Sequence, residues 1–151
     1  MSRGYAAVGL VDPKTAANVG SAIRACHVFN ASMIAISGVR YKGSATDTTK
    51  GWRHIPLLRC EDVLDALPFD CAPVAVDILP GAIPLPEFNH PPRAFYIFGA
   101  EDQTLGARVT SRCAYSVVIP SAYCLNLAAA VNVILYDRVA KEMIQKKDLA
   151  A

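Results

Sequence analysis

Apolar residues fall along the chain in short blocks, and the spacing within the blocks is of two kinds. Residues 5–11, YAAVGLV, form an unbroken apolar run that stops at Asp12-Pro13, the pattern of a strand buried on both faces and closed by a loop. Val19, Ala22, Ile23, Cys26 and Phe29 then recur at helical spacing, with polar Asn30 ending the series, and a second buried-strand run follows at 33–36. That is a β-α-β opening. Further on, 61–67 predicts a short helix, 73–78 a strand, 94–98 a strand, 104–111 a helical segment and 115–119 a strand. The alternation predicts an α/β fold, with a mostly parallel sheet and helices on both faces. The Pro-rich stretch 80–92 reads as a surface connection, because too little chain lies on either side of it for separate cores. A single domain over 1–151 is therefore expected.

The last predicted helix, from 125 to about 147, has two unlike halves. Residues 127–136, LAAAVNVILY, are apolar on nearly every face except at Asn132, whereas 140–148 is rich in Lys and Glu. A helix apolar all round must be covered all round. In a chain of this size the cover predicted is a second copy, giving a homodimer through the C-terminal helix; a deep central helix in a monomer is the alternative.

Composition narrows the class further. With 151 residues, 53% hydrophobic and 19% charged, and a mean hydropathy of +0.28, the chain can bury one substantial core and lacks the signature of disorder. No apolar run reaches the roughly 18 residues of a membrane span, and the N-terminus lacks a charged segment followed by a long apolar one. No membrane association and a cytoplasmic location are expected. The cysteines, Cys26, Cys60, Cys71, Cys113 and Cys124, are odd in number and contain no Cys-x-x-Cys pair. A disulfide framework is disfavoured, and no metal is expected.

The net charge of +2 conceals an asymmetry. Residues 38–60 carry Arg40, Lys42, Lys50, Arg53 and Arg59 against Asp47 alone, while 61–92 carries acidic residues and no Lys or Arg. The basic stretch is rich in Gly, Ser and Thr and includes Tyr41, Trp52 and His54. Basic side chains interleaved with stacking groups suit a phosphate backbone with exposed bases; an ordinary solvated loop is the plainer reading.

Chemistry concentrates in three places. Asn18-Val19-Gly20 and Arg24 stand at the first strand-to-helix junction. Gly20 and Arg24 are i and i+4, so Arg24 can lie back over the missing side chain toward the helix start, where anions are favoured. An Arg paired with a structural carboxylate is the alternative. In AFYIFGAEDQTLG, 94–106, an apolar strand breaks at Gly99 and is followed by Glu101. Open α/β sheets present ligands at such strand ends, although Glu101 can equally brace the loop. No Gly-x-Gly-x-x-Gly or Walker pattern is present, which speaks against nicotinamide and P-loop nucleotide sites. In YSVVIPSAYCLNLAAAVN, 115–132, a strand leads through Pro120 to Cys124, Leu125 and Asn126 at the start of the apolar helix. Cys124 there is either a thiol nucleophile, which needs a histidine beside it, or a small packing residue.

In their order and context these segments resemble the SpoU/TrmH family of RNA ribose methyltransferases, whose motifs are Asn-x-Gly-x-x-x-Arg, Phe-Gly-x-Glu, and Ile-Pro leading to Ser-Leu-Asn. They stand here as Asn18 to Arg24, as Phe98-Gly99-Ala100-Glu101, and as Ile119-Pro120 with Cys124-Leu125-Asn126, Cys124 replacing the serine. The resemblance runs from about Tyr5 to Arg138 and is greatest to the minimal, TrmL-type members. It implies a C-terminal trefoil knot (the SPOUT fold), S-adenosylmethionine bound in the knot, and a homodimer. Val76, Gly99, Ile119, Cys124 and Leu125 would line the cofactor pocket. Arg24 would be catalytic, facing the partner's cofactor, with Asn18, Glu101 and Asn126 shaping the site. The reaction implied is methyl transfer to a ribose 2′-hydroxyl of RNA, tRNA ahead of rRNA, with Arg40, Lys42, Lys50 and Arg53 holding the RNA. A catalytically silent, knotted RNA-binding homodimer is the alternative from another class.

Overall fold

In the computed structural model, residues 4–42 and 50–151 are described. The Gly-, Ser- and Thr-bearing part of the basic stretch, 43–49, therefore lies outside the described residues, as does 1–3.

The first apolar run is strand β1 (Tyr5–Val11), and the helical spacing after it is α1 (Ala16–Val28), followed by β2 (Met33–Ser37). The remaining strands are β3 (Leu57–Cys60), β4 (Ala72–Val76), β5 (Ile83–Pro84), β6 (Arg93–Phe98) and β7 (Tyr115–Val118); the helices are α2 (Ala107–Thr110) and α3 (Leu127–Ala150). Among the described residues, seven strands join one sheet in the order β3-β2-β1-β6-β4-β7-β5, and every ladder is parallel. The expected α/β architecture is thus observed.

Each central strand sends alternate residues to opposite cores. Ala6, Val8 and Leu10 of β1, Val74 and Val76 of β4, and Ala94, Tyr96 and Phe98 of β6 face α1 and α3. Ala7, Ala75, Phe95 and Ile97 face the other way. That second face is covered by short pieces, a 3-10 turn at Val63–Ala66 and the single turn of α2. Both faces are covered, but long helices lie on one of them only. The segment 61–67, expected as a short helix, is that 3-10 turn, started by Asp62, whose carboxylate accepts from the Leu64 N–H.

Two elements escape the sequence pattern. β3 sits inside the basic stretch, where Arg59 and half-exposed side chains hide an edge strand. β5 is two residues within the Pro-rich connection, which also buries Leu85 and Phe88. Prolines are tolerated there because β5 is an edge strand needing few ladder N–H groups.

The second half of α3 is fixed by a buried polar cluster. Arg138, 5% exposed, donates to the Pro91 and Pro92 carbonyls at 2.7 Å each and to the Tyr96 hydroxyl at 3.0 Å. Burial pushes the Tyr96 phenol up to about 12, so it stays protonated. Accepting from Arg138, it donates to His90 Nδ1 at 2.7 Å, which leaves Nε2–H to donate to Asp137 at 2.7 Å. Burial lowers the His90 pKa against the opposing pull of Asp137, so the imidazole enters this contact neutral, donating to the carboxylate.

Arg138→Met should leave the buried Tyr96 hydroxyl and the Pro91 and Pro92 carbonyls without their donor and cost about 3 kcal/mol in urea unfolding. Because the unfolded imidazole takes its proton near pH ~6.5 and the folded one only at lower pH, stability should be full above that value and fall as pH drops through it. The slope of Tm between about pH 8 and about pH 5 should flatten in His90→Gln.

Candidate functional site

At the carboxyl ends of three neighbouring strands, β6, β4 and β7, the chain encloses a cavity of ≈ 350 Å³. This is the place where open parallel sheets put ligands, and the size lies in the range of roughly 300–1,000 Å³ usual for small-molecule sites. Its walls are the segments following β4 (Val76, Asp77, Ile78), β6 (98–104) and β7 (Val118 to Leu125), and its floor is the first turn of α3. Val76, Gly99, Ile119, Cys124 and Leu125, all singled out from sequence, line it. The loop after β6 folds tightly back: a Cβ on Gly99 would stand 3.1 Å from the Gln103 carbonyl and 3.3 Å from the Leu105 nitrogen.

One chain of hydrogen bonds joins the three motifs. The Glu101 carboxylate accepts from the Lys14 N–H (3.0 Å), the Thr15 N–H (3.3 Å) and Asn18 Nδ2 (2.7 Å). Asn18 Oδ1 in turn accepts from Asn126 Nδ2 at 2.8 Å. Asn126 is the N-cap of α3, its Oδ1 accepting from the Ala128 and Ala129 N–H groups. Each asparagine amide thus spends its oxygen in one direction and its NH₂ in the other, which an aspartate or leucine there cannot do. Burial alone would raise the Glu101 carboxyl, but the donors from Asn18, Lys14 and Thr15 outweigh it and hold the group below the usual carboxylate range. Glu101 is therefore an ionised brace.

Three aspartates complete the frame, and the sequence pattern assigned none of them to the site. Asp77 accepts from Ile78 N–H (2.7 Å) and Leu105 N–H (2.6 Å), tying the loop after β4 to that after β6. Arg40 forms a two-pronged pair with Asp102 (3.0 and 3.1 Å) and also reaches the Asp12 carboxylate (3.1 Å) and carbonyl. Its hydrogen bond to Asp102 leads the causes that raise the Arg40 pKa and lower that of Asp102. The available signal was position: Asp12 and Asp77 directly follow β1 and β4, and Asp102 directly follows Glu101.

The RNA-assigned cations divide accordingly. Arg40 spends its guanidinium on Asp12 and Asp102, whereas Lys42, Lys50 and Arg53 are exposed. Arg24 is exposed on α1 and forms no hydrogen bond or ion pair with another described residue, so the structural-carboxylate reading has no partner here. Cys124 is exposed at the cavity, and the three histidines are elsewhere: His27 and His54 stack on each other, and His90 is bonded to Tyr96 and Asp137. A histidine-activated Cys124 is not what the structure shows. Among the described residues no His, Cys, Asp or Glu cluster is arranged to hold a metal, and no helix is long and apolar enough to cross a membrane.

An all-parallel α/β sheet with a braced cavity at its carboxyl edge is the class that this fold and site define. The sequence profile of the SpoU rRNA Methylase family matches residues 5–136, and the chain belongs to that family. The fold is shared with solved structures. The SpoU methyltransferase AviRb from Streptomyces viridochromogenes, solved also with its cofactor AdoMet, is 24% identical with a TM-score of 0.81, over 95% of this chain and 62% of that one. A protein described with structural insights into the 2-OH methylation of C/U34 on tRNA is 22% identical, TM-score 0.80, over 93% and 97% of the two chains. The TrmH/SpoU tRNA modifying enzyme of A. aeolicus is 17% identical, TM-score 0.82, over 95% and 78%. Comparison of the sequence with curated proteins finds no match. The chain spans under two thirds of AviRb and nearly all of the second structure.

Glu101→Gln keeps the shape but turns an amide toward N–H donors. It should cost about 1–3 kcal/mol in urea unfolding and speed hydrogen exchange at Lys14 and Thr15. Asp102→Asn, on the more exposed Arg40 pair, should move the unfolding midpoint far less.

Proposed function

We propose that the protein is an S-adenosylmethionine-dependent methyltransferase that modifies a ribose 2′-hydroxyl of RNA, tRNA ahead of rRNA. The observation that carries this reading is the Glu101–Asn18–Asn126 chain, which gathers all three motifs at the rim of one cavity. A near-complete match in length to a tRNA 2-OH methylation protein supports the choice of tRNA. The cavity fits the cofactor in size, and its mix of apolar walls (Val76, Phe98, Ile119, Leu125) with loop backbone suits a nucleoside bearing a short polar chain.

The cofactor, when bound, supplies an electrophilic sulfonium methyl. The 2′-oxygen forms the new O–C bond in line as the C–S bond breaks, and its proton leaves to an adjacent phosphate or to water. Arg24 grips that phosphate and stabilises the developing alkoxide; a guanidinium is a poor base but a good two-pronged donor. Glu101 and Asn18 hold the helix that carries Arg24, and Asn126 holds the start of α3 beneath the cavity.

The working unit we propose is a homodimer. α3 buries Leu127, Ala128, Val131, Ile134 and Leu135 within its own subunit but leaves Val133, Tyr136, Met143 and Ile144 exposed in a helical stripe, with Val28 of α1 also exposed. Such a stripe is what a second copy would cover, and it would bring Arg24 toward the partner's cavity. The trefoil knot belongs to the same proposal: β7 lies between β4 and β5, both earlier in the chain, before the segment 119–126 passes to α3.

Calorimetry with S-adenosylmethionine should give saturable binding; no binding would favour the silent RNA-binding module. Mass spectrometry of RNA from a deletion strain should show one ribose methyl missing, and an unchanged pattern would overturn the activity. Arg24→Lys should lose at least about tenfold in kcat with cofactor affinity unchanged, since Lys lacks the planar fork. Tyr136→Glu should yield monomers in sedimentation.

A further inference from the structure

The basic, aromatic stretch divides in the fold into an inward and an outward half. Tyr41 is 7% exposed, and Arg59 lies 4.8 Å over its ring while donating to the Tyr41 carbonyl at 2.7 Å. Arg40 is spent on Asp12 and Asp102. Those three belong to the scaffold. The outward half is a 3-10 turn at Gly51–Arg53, closed by the Arg53 N–H on the Lys50 carbonyl (2.9 Å) and the His54 N–H on that of Gly51 (2.8 Å). Lys50 enters it in the left-handed region, φ 47°.

This turn is seated on α1. A Cβ on Gly51 would fall 2.5 Å from Ile23 Cγ2, so the backbone rests directly on the helix. Beside that contact the His54 ring stacks on His27 of α1, with centroids 4.5 Å apart. Trp52 is left half exposed, with the Arg53 guanidinium 5.2 Å from its ring centre. Arg24 lies three residues before His27 and therefore on the same helix face. Arg24 and His27 on α1 thus adjoin, through the His27–His54 contact, the turn that carries Lys50, Trp52, Arg53 and His54. None of the three cations Arg24, Lys50 and Arg53 is paired with a carboxylate among the described residues.

We propose that Trp52, framed by Arg53, His54 and His27, is a stacking platform for an unpaired nucleotide next to the one that Arg24 addresses. The protein then takes its RNA through a loop or single strand and not through a duplex. The proposal rests on the RNA reading above and adds the kind of RNA and the residue that selects it. A duplex buries its base faces, and only an unpaired base offers one to an indole. The neighbouring imidazoles and cations supply hydrogen bonds and charge for the flanking phosphates. A half-exposed indole covered by a second copy of the chain is the competing occupant.

Trp52 is the chain's single tryptophan, so its fluorescence reports on this surface alone. Titrating the full-length protein with a short oligouridylate should quench that emission saturably, while an RNA duplex of equal phosphate count should bind more weakly and quench little. Trp52→Ala should weaken oligouridylate binding about tenfold or more, and Trp52→Phe should keep most of it. Cofactor affinity, Tm and sedimentation should be unchanged in both variants. Binding without quenching, equal affinity for duplex and single strand, or an unaffected Trp52→Ala would each overturn the platform while leaving the methyltransferase reading intact. A shift of Trp52→Ala to a smaller assembly would assign the indole to the second copy instead. Failure of both RNAs to bind would overturn the platform, whereas the methyltransferase reading is judged separately by cofactor calorimetry and the missing ribose methyl.

Discussion

The ionised Glu101 carboxylate is the point on which the site depends. It lies in the loop after β6, yet its ligands are backbone N–H groups at the start of α1 and a side chain in the first turn of that helix. A carboxylate at a helix N-terminus is favoured by the exposed N–H groups and the helix dipole. Here that local preference also joins distant parts of the chain. Through Asn18 the same interaction reaches Asn126, and through Asn126 it sets where α3 begins. Remove the negative charge and two strand-end loops and two helices lose their common fixed point.

Around that point the molecule separates two kinds of cation. Arg40 and Arg138 are construction: one spans Asp12 and Asp102 beneath the cavity loops, and the other nails α3 to the Pro-rich segment. Arg24, Lys50 and Arg53 face outward without carboxylate partners among the described residues. The same residue types a few positions apart in sequence do opposite things, and only the location of the aspartates tells them apart.

That contrast also explains what was legible beforehand. The buried strands and α1 were readable because apolar periodicity is a local signal, and Gly99, Glu101 and Asn126 were readable because the motifs are contiguous. β3 and β5 were not: edge strands are half exposed, and their composition is dictated by one neighbour only. The pairing of Arg40 was not legible either, since its partner Asp102 is 62 residues away. Counting charge by segment sees the cation and cannot see the carboxylate folded onto it. The His90–Tyr96–Arg138 cluster was invisible for the same reason, its hydrogen bonds joining residues up to 47 apart.

The strand order carries a consequence for how the molecule comes into being. Because every ladder is parallel, no two adjacent strands can pair as a hairpin, and each pairing must first close a long loop. β7 is the last strand in the chain but takes an interior place between β4 and β5, and Asn126, which meets Asn18, follows directly from it. Topologies of this kind fold slowly. The cavity is walled by the segments after β4, β6 and β7, so it is complete only when this interior strand is in place.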